Sequence, residues 1–284
     1  MKLPNIAENK TVLQIIRLAL KEDLNKKGDV TTLSLVPKFS IAKATVVSRG
    51  KYIISGSDAA IAVFKAVDPK LKYRSCINDG NTAHPGDTVM TISGYARGIL
   101  TAERTALNFM QRMTGIATLT SQFVKKVKPY NATILDTRKT TPGLRILEKY
   151  AVLCGGGKNH RMGLYDRILI KDNHRNLWQR DTGLDLAIEQ ARKKFPDIPI
   201  EVEVENNKEL ISALKANPDW ILLDNMTAHR ITKCVKLCGG RSRLEASGGI
   251  TLQNVEEIAK TGVDAISLGC LTHSAPAADL SLEL

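Results

Sequence analysis

Apolar residues recur along this chain with two different periods, and the change of period divides it. From Leu13 to Leu24 the spacing is helical. Leu13, Ile15, Ile16, Leu20 and Leu24 face one way and Arg17, Lys21, Glu22 and Asp23 another, which predicts an amphipathic helix ending before Gly28-Asp29-Val30-Thr31-Thr32. Ile41–Ser48 and Tyr52–Ser55 alternate instead and are rich in β-branched residues, which predicts strands turned at Arg49-Gly50-Lys51. A helix over Ser57–Val67, strands over Leu71–Ile77 and Thr88–Ser93, and a loop over Asn78–Asp87 with Gly80, Pro85 and Gly86 follow. Runs of strands interrupted by one helix predict an α+β layer and argue against a βαβ repeat.

The pattern changes at Ile99. Apolar positions from Leu100 to about Lys128 keep helical spacing, with a break at Thr114-Gly115. Beyond Pro129 short strands alternate with helices. The strands are Ala132–Leu135, Arg167–Ile170, Ile200–Val204, Ile221–Leu223, Arg243–Ala246 and Ala265–Leu268. The helices are Leu184–Lys194, Lys208–Ala216, Ala228–Leu237 and Thr251–Thr261. That alternation predicts a parallel α/β barrel or open sheet. Each strand ends in residues foreign to a core: Asp136, Arg138 and Lys139; Lys171 and Asp172; Glu203 and Glu205; Asp224 and Asn225; Ser247-Gly248-Gly249; Gly269, followed by His273. In a closed parallel barrel all strand C-termini meet on one face, so these groups would converge on one pocket.

Composition narrows the class without changing it. The 284 residues are 43% hydrophobic and 25% charged, enough for a sizeable core and two domains. A net charge of +12 admits nucleic acid, membrane surface or small anions as partners. Aromatics are only 5%, and the cations sit inside motifs or are spread along the chain, which speaks against nucleic acid. Five cysteines form no paired framework; Cys234 and Cys238, four apart, share a helix face, as two packed thiols or as half a zinc site. The chain opens on MKLPNIAENK without an apolar signal core, and no run is long enough to span a bilayer. A cytoplasmic, soluble protein is expected.

The densest chemistry lies between Ile134 and His174. Two apolar runs there end in polar bursts, with Gly155-Gly156-Gly157-Lys158-Asn159-His160-Arg161 between them. Arg138, Lys139, His160, Arg161 and Lys171 can hold carboxylates or phosphates, the arginines by bidentate contacts, and Arg104 can join them from the preceding helix. Glu203 and Asp224 end neighbouring strands, as expected of ligands for Mg²⁺, directly or through water, or of partners for sugar hydroxyls; Glu201 and Glu205 share the face of Glu203 and compete with it for that place. Ser247-Gly248-Gly249 before a helix, with Ser267-Leu268-Gly269 one strand later, suits a phosphate. Neither glycine loop matches a P-loop, and no dinucleotide fingerprint is present. The combination fits transfer of a phosphorylated sugar with pyrophosphate leaving. Competing readings are a monocarboxylate transferase, a barrel lyase using Lys171 as a Schiff-base nucleophile, and a basic nucleic-acid-binding protein.

Seven segments together carry a resemblance: Glu103–Asn108, Asp136–Gly143, Gly157–Arg161, Ile170–His174, Glu201–Glu205, Leu223–Asn225 and Glu245–Ile250. In this order they resemble quinolinate phosphoribosyltransferase, the decarboxylating nicotinate-nucleotide pyrophosphorylase of NAD biosynthesis. The resemblance implies an incomplete parallel α/β barrel over 111–270. It also implies an N-terminal α+β open sandwich over 1–110, joined by the tail 271–284. Further implied are a homodimer, Arg104 reaching the partner's site, and Mg²⁺ as cofactor. By the matching motifs Arg104, Arg138, His160, Arg161 and Lys171 would hold the two quinolinate carboxylates. Lys139, Glu203, Asp224, Ser247, Gly248, Gly249, Ser267, Gly269 and His273 would surround phosphoribosyl pyrophosphate and the metal. Lys139, Lys171, Glu203 and Asp224 are the expected catalytic residues, and neither nucleic acid nor membrane is an expected partner.

Overall fold

A computed structural model describes residues 3–178 and 183–284. In chain order the first elements are α1 (Lys10–Leu24), α2 (Val30–Leu35), β1 (Ile41–Ser48), β2 (Tyr52–Ile53), α3 (Ser57–Val67), β3 (Lys72–Ser75), β4 (Thr82–Ala83), β5 (Thr88–Tyr95) and α4 (Ala96–Val127). They are followed by β6 (Thr133–Leu135), α5 (Arg145–Cys154), β7 (Ile168–Ile170), α6 (Asp172–Trp178), α7 (Leu184–Lys194), β8 (Ile200–Val204), α8 (Asn207–Lys215) and β9 (Trp220–Asp224). The last are α9 (Ala228–Cys238), β10 (Arg243–Ser247), α10 (Val255–Lys260), β11 (Ala265–Ser267), α11 (Cys270–His273) and β12 (Leu280–Glu283). None of the described helices is long and apolar enough to cross a membrane.

The chain forms two compact units, Met1–Ser121 with Thr140–Gly156 and Cys270–Leu284, and Gln122–Lys139 with Gly157–Gly269. These bounds differ from the expected division at 110 and 270, most of all because Thr140–Gly156 leaves the barrel segment. Its helix α5 was not anticipated, and its buried polar groups explain the allegiance. Glu148 accepts from Arg112 Nη2 at 2.9 Å and from Thr141 Oγ1 at 2.8 Å. The Tyr150 hydroxyl donates to Asp79 Oδ2 at 3.0 Å, and a Cβ on Gly155 would stand 2.4 Å from the Ala117 carbonyl.

The first unit is built on an antiparallel sheet in the order β12-β1-β5-β3, so the C-terminal strand pairs with β1 (Val46 opposite Leu282). α1 begins where Asn9 Oδ1 accepts the Thr11 and Val12 amides, at 3.0 and 3.3 Å. A short second helix, α2, was not anticipated; Asp29 caps it by accepting the Thr32 amide at 3.0 Å. The expected break at Thr114-Gly115 is absent, and α4 runs through it. Thr114 Oγ1 is turned to the Ser55 backbone, accepting its N–H at 3.1 Å and donating to its carbonyl at 3.0 Å. Gly115 is glycine for space: a Cβ would lie 1.9 Å from the Pro276 carbonyl oxygen.

The second unit is a six-stranded parallel sheet in the order β6-β11-β10-β9-β8-β7. Strands adjacent in sequence are adjacent in space from β7 to β11, and β11 returns to β6. This is the cyclic order of a barrel, left open between β6 and β7. On β6, Lys158 bridges to Leu135, its amide donating to the Ile134 carbonyl at 2.9 Å. Side-by-side partners share a face of a sheet. One face carries Val202, Ile221 and Leu244, and above them Val204, Leu223, Ala246, Ile266 and Ile134, all buried. The other carries Glu203, Leu222 and Glu245, then Asp224, Ser247 and Ser267. An apolar face for the helices and a face bearing Glu203, Asp224 and Glu245 thus alternate along β8, β9 and β10. Cys234 and Cys238 are packed thiols: both are buried, Cys238 donating to the Ser242 carbonyl at 3.2 Å and Cys234 lying 3.7 Å from Met226 Sδ.

Candidate active site

The rim of the second unit is made by residues just past the strand ends. After β7, the Lys171 ammonium donates to Glu203 Oε2 at 2.8 Å; the lysine is half-exposed and the glutamate buried on β8. Asp224 ends β9, and its Oδ2 accepts from Asn225 Nδ2 at 2.8 Å. The Asn225 amide donates to the Ser247 carbonyl at 2.9 Å, stitching this end to the Ser247-Gly248-Gly249 turn. Gly248 has φ +90°, and a Cβ there would meet Asn225 Oδ1 at 2.2 Å, so the close approach demands glycine. Ser267 is buried on β11, with Gly269 two residues on. The helix after the glycine turn begins at Val255 and not at Thr251; an Asn254 turn intervenes, its Oδ1 accepting the Thr251 amide at 2.8 Å. The expected helix N-terminus directly behind the glycines is therefore replaced by a loop.

On the β6 side stand Arg138, half-buried, and Lys139, exposed. Arg161 is half-buried and donates to the Arg167 carbonyl at 3.0 Å. Burial, and then the neighbouring Arg138 guanidinium, push Arg161 down from the usual arginine value. Two guanidiniums repelling each other at a partly dry strand end are arranged for an anion.

His160 differs from expectation. It is buried, and its polar atoms face the protein interior: its amide donates to Asp136 Oδ1 at 2.9 Å, Nδ1 accepts the Arg161 amide at 2.7 Å, and Nε2 lies 2.9 Å from Glu201 Oε2. Both of its ring nitrogens are thus engaged within the protein, Nε2 by the carboxylate of Glu201. Among the three strand glutamates, Glu201 is taken up by His160 and Arg167, and Glu205 is exposed beyond β8; Glu203 alone touches Lys171. Arg104 and His273 belong to the first unit. Arg104 is exposed on α4, and His273 is exposed at the end of α11, 2.6 Å from Ser274 Oγ.

Two family models match, the quinolinate phosphoribosyl transferase N-terminal domain over residues 29–114 and its C-terminal domain over 116–283. The chain belongs to the quinolinate phosphoribosyltransferase family. It is 41% identical to the rice chloroplastic nicotinate-nucleotide pyrophosphorylase [carboxylating], covering 95% of this chain and 76% of that one. It is 42% identical to the Mycobacterium leprae nicotinate-nucleotide pyrophosphorylase [carboxylating], covering 95% of both. Among solved structures, the nicotinate-nucleotide pyrophosphorylase from Francisella tularensis superposes with a TM-score of 0.91 at 39% identity, covering 99% of this chain and 97% of that one.

Below the rim lies a layer of residues to which the sequence motifs assign no separate role. Glu245, Asp136 and Arg167 are brought against His160 and Glu201. Arg167 is steadied by Trp220, its guanidinium carbon 5.3 Å from the ring centre. The signal for Glu245 was weak: in Arg243-Leu244-Glu245-Ala246-Ser247 it alternates with apolar residues, which puts it on the polar face of the strand without showing that this face is buried.

Proposed function

We propose that this chain transfers the phosphoribosyl group of phosphoribosyl pyrophosphate to quinolinate with decarboxylation. The products are nicotinate mononucleotide, pyrophosphate and CO₂, in de novo NAD biosynthesis. The observation that carries the reading is the match of both family domains over residues 29–114 and 116–283, with Arg138 after β6 close enough for its charge to act on Arg161 and with Lys171 ending β7. A dicarboxylate relieves that repulsion better than a monocarboxylate. Arg138 and Arg161 hold the two carboxylates, and Lys171, ion-paired with Glu203, serves as an anion ligand in place of a Schiff-base nucleophile. Lys139 and the Ser247-Gly248-Gly249, Ser267 and Gly269 positions receive the sugar pyrophosphate.

The reaction follows from these charges. As pyrophosphate leaves the sugar C1, positive charge grows on the ribose, and Glu203 and Asp224 stabilise it. The quinolinate nitrogen, held in line by the arginines, attacks C1. When the adjacent carboxylate departs as CO₂, the electron pair stays on the ring carbon, stabilised by the neighbouring pyridinium nitrogen, and a proton from solvent water adds there to give nicotinate mononucleotide.

Mg²⁺ belongs to the same proposal. Asp224 offers a hard oxygen ligand at the half-exposed rim, while Glu203, engaged by Lys171, is suited to reach a cation through water. When bound, the ion neutralises pyrophosphate charge and so eases its departure. A homodimer completes the proposal, with exposed Arg104 serving the partner's site. The test is quinolinate labelled in its 2-carboxyl group: label should leave as CO₂ only when phosphoribosyl pyrophosphate and Mg²⁺ are both present. Label retained in the product would refute decarboxylating transfer.

A further inference from the structure

Below the rim of the barrel unit lies a closed group of ionisable side chains that no substrate contact explains. Glu201 and Glu245 are both 0% exposed, and His160 is 8% exposed. Ionised groups shut away from water are costly unless each is paired and hydrogen-bonded, so the charges here must balance. Geometry places the protons. The Arg161 amide donates to His160 Nδ1, so that nitrogen carries none and the ring N–H is on Nε2. Nε2 then donates to Glu201 Oε2 at 2.9 Å, and Arg167 Nη1 reaches the same oxygen at 3.3 Å. Glu201 is therefore the ionised carboxylate, and Arg167 is its counter-ion.

Glu245 remains. Its Oε2 is 3.5 Å from His160 Nε2, a Glu201 oxygen lies within 4.8 Å, and neither Glu245 oxygen accepts a hydrogen bond, as a carboxyl oxygen facing a second carboxyl would not. Burial, and then the charge of Glu201, push it well above the ordinary carboxylate range. A metal ion is the rival filling, since the three side chains are of ligand type with donor atoms within 4.8 Å. Against it, Arg167 Nη1 lies 3.4 Å from His160 Nε2, so a cation would face both a guanidinium and an N–H.

We propose that Glu245 is a positioning residue that keeps its proton: as a neutral acid it donates to Glu201 and closes the Glu201–His160 pair, which anchors the Arg161 backbone for carboxylate binding. Glu245 and His160 are then neutral, and the charges of Glu201 and Arg167 cancel. All three polar handles of His160 are used, by Asp136, by the Arg161 amide and by Glu201. The Arg161 guanidinium is tied to the same group, since its Nη1 donates at 3.0 Å to the carbonyl of Arg167, the counter-ion of Glu201.

In its claim on quinolinate this inference rests on the proposed function, but its spectroscopic test does not. Infrared difference spectra of wild-type and Glu245→Gln protein at neutral pH should show a protonated-carboxyl C=O band in wild type that the variant lacks. Nitrogen-15 spectra should show His160 protonated at Nε2 alone. Glu245→Ala should raise the quinolinate KM roughly ten-fold, with a smaller change for phosphoribosyl pyrophosphate, and Glu245→Gln, an uncharged donor of the same shape, should recover most of the loss. Absence of the band, a doubly protonated His160, or a tightly held metal ion that wild type retains and Glu245→Gln loses would each overturn the proposal. So would a Gln variant as defective toward quinolinate as the Ala variant. Should the Ala variant fail to fold, the Gln variant and the spectra still decide. Wild-type protein that shows the band but does not turn over quinolinate would refute the proposed function and leave the neutral Glu245 standing.

Discussion

Alanine at Gly248 should damage the enzyme in a way that alanine at Gly249 does not. Both glycines have positive φ, +90° and +63°, so either substitution carries a backbone cost of about 1–2 kcal/mol. Only at Gly248 does the new methyl collide, 2.2 Å from Asn225 Oδ1 and 2.6 Å from its Cγ, whereas Gly249 has nothing within 4 Å. The Asn225 backbone is tied to the Ser247 carbonyl, so its side chain must give way and release Asp224 Oδ2, now held at 2.8 Å. A hydrogen bond to a charged group contributes about 1.5–3 kcal/mol. Gly248→Ala should therefore lose roughly 3–5 kcal/mol in urea unfolding and Gly249→Ala about 1–2 kcal/mol. Steady-state kinetics should show the larger rise in KM for phosphoribosyl pyrophosphate in Gly248→Ala, because Asp224 loses its orientation. Equal destabilisation of the two variants, or equal KM values, would refute the idea that this turn aims Asp224.

Other consequences concern individual groups. Arg138→Ala should raise the quinolinate KM roughly 10- to 100-fold while that for phosphoribosyl pyrophosphate changes little, as initial rates would show. Asp224→Asn should act on phosphoribosyl pyrophosphate and Mg²⁺ dependence; an effect confined to quinolinate would contradict its placement. Mixing Arg104→Ala with Lys139→Ala protein under exchange conditions should restore part of the activity, since hybrid dimers regain one intact site; no recovery would argue against a shared site. Glu245 has a folded-state pKa above its ordinary 4.5, so above that pH the folded state binds more protons than the unfolded. Its contribution to stability is lost as pH rises toward the folded value, by up to about 1.4 kcal/mol per pH unit, and Glu245→Gln should flatten that slope in pH-dependent denaturation.

Much of the fold was legible because period and burial agree. β1 (Ile41–Ser48) and α3 (Ser57–Val67) fall where alternation and helical spacing place them, and Ile200–Val204 is recovered as β8. What escaped depended on distant partners. The Thr114-Gly115 pair reads locally as a helix break, yet Thr114 serves the Ser55 backbone and Gly115 makes room for Pro276. α5 was hidden by the glycines that flank it, Gly143 and Gly155-Gly156-Gly157, and by Glu148 and Lys149, which are polar in sequence and buried in the fold. The rim residues announced themselves as charges at strand ends. His160 did so too, but a sequence cannot show which way a ring turns, and this one turns inward to Glu201. Glu245 was silent because its pairing partner, 44 positions earlier in chain order, is another carboxylate.

The central claim is that the paired arginines beside Lys171 select a dicarboxylate acceptor. Offering quinolinate and nicotinate together, with limiting phosphoribosyl pyrophosphate and distinct isotopic labels on the two acceptors, tests this in one reaction. Nicotinate mononucleotide should carry the quinolinate label and appear in step with CO₂. Product carrying the nicotinate label, formed without CO₂, would contradict the account.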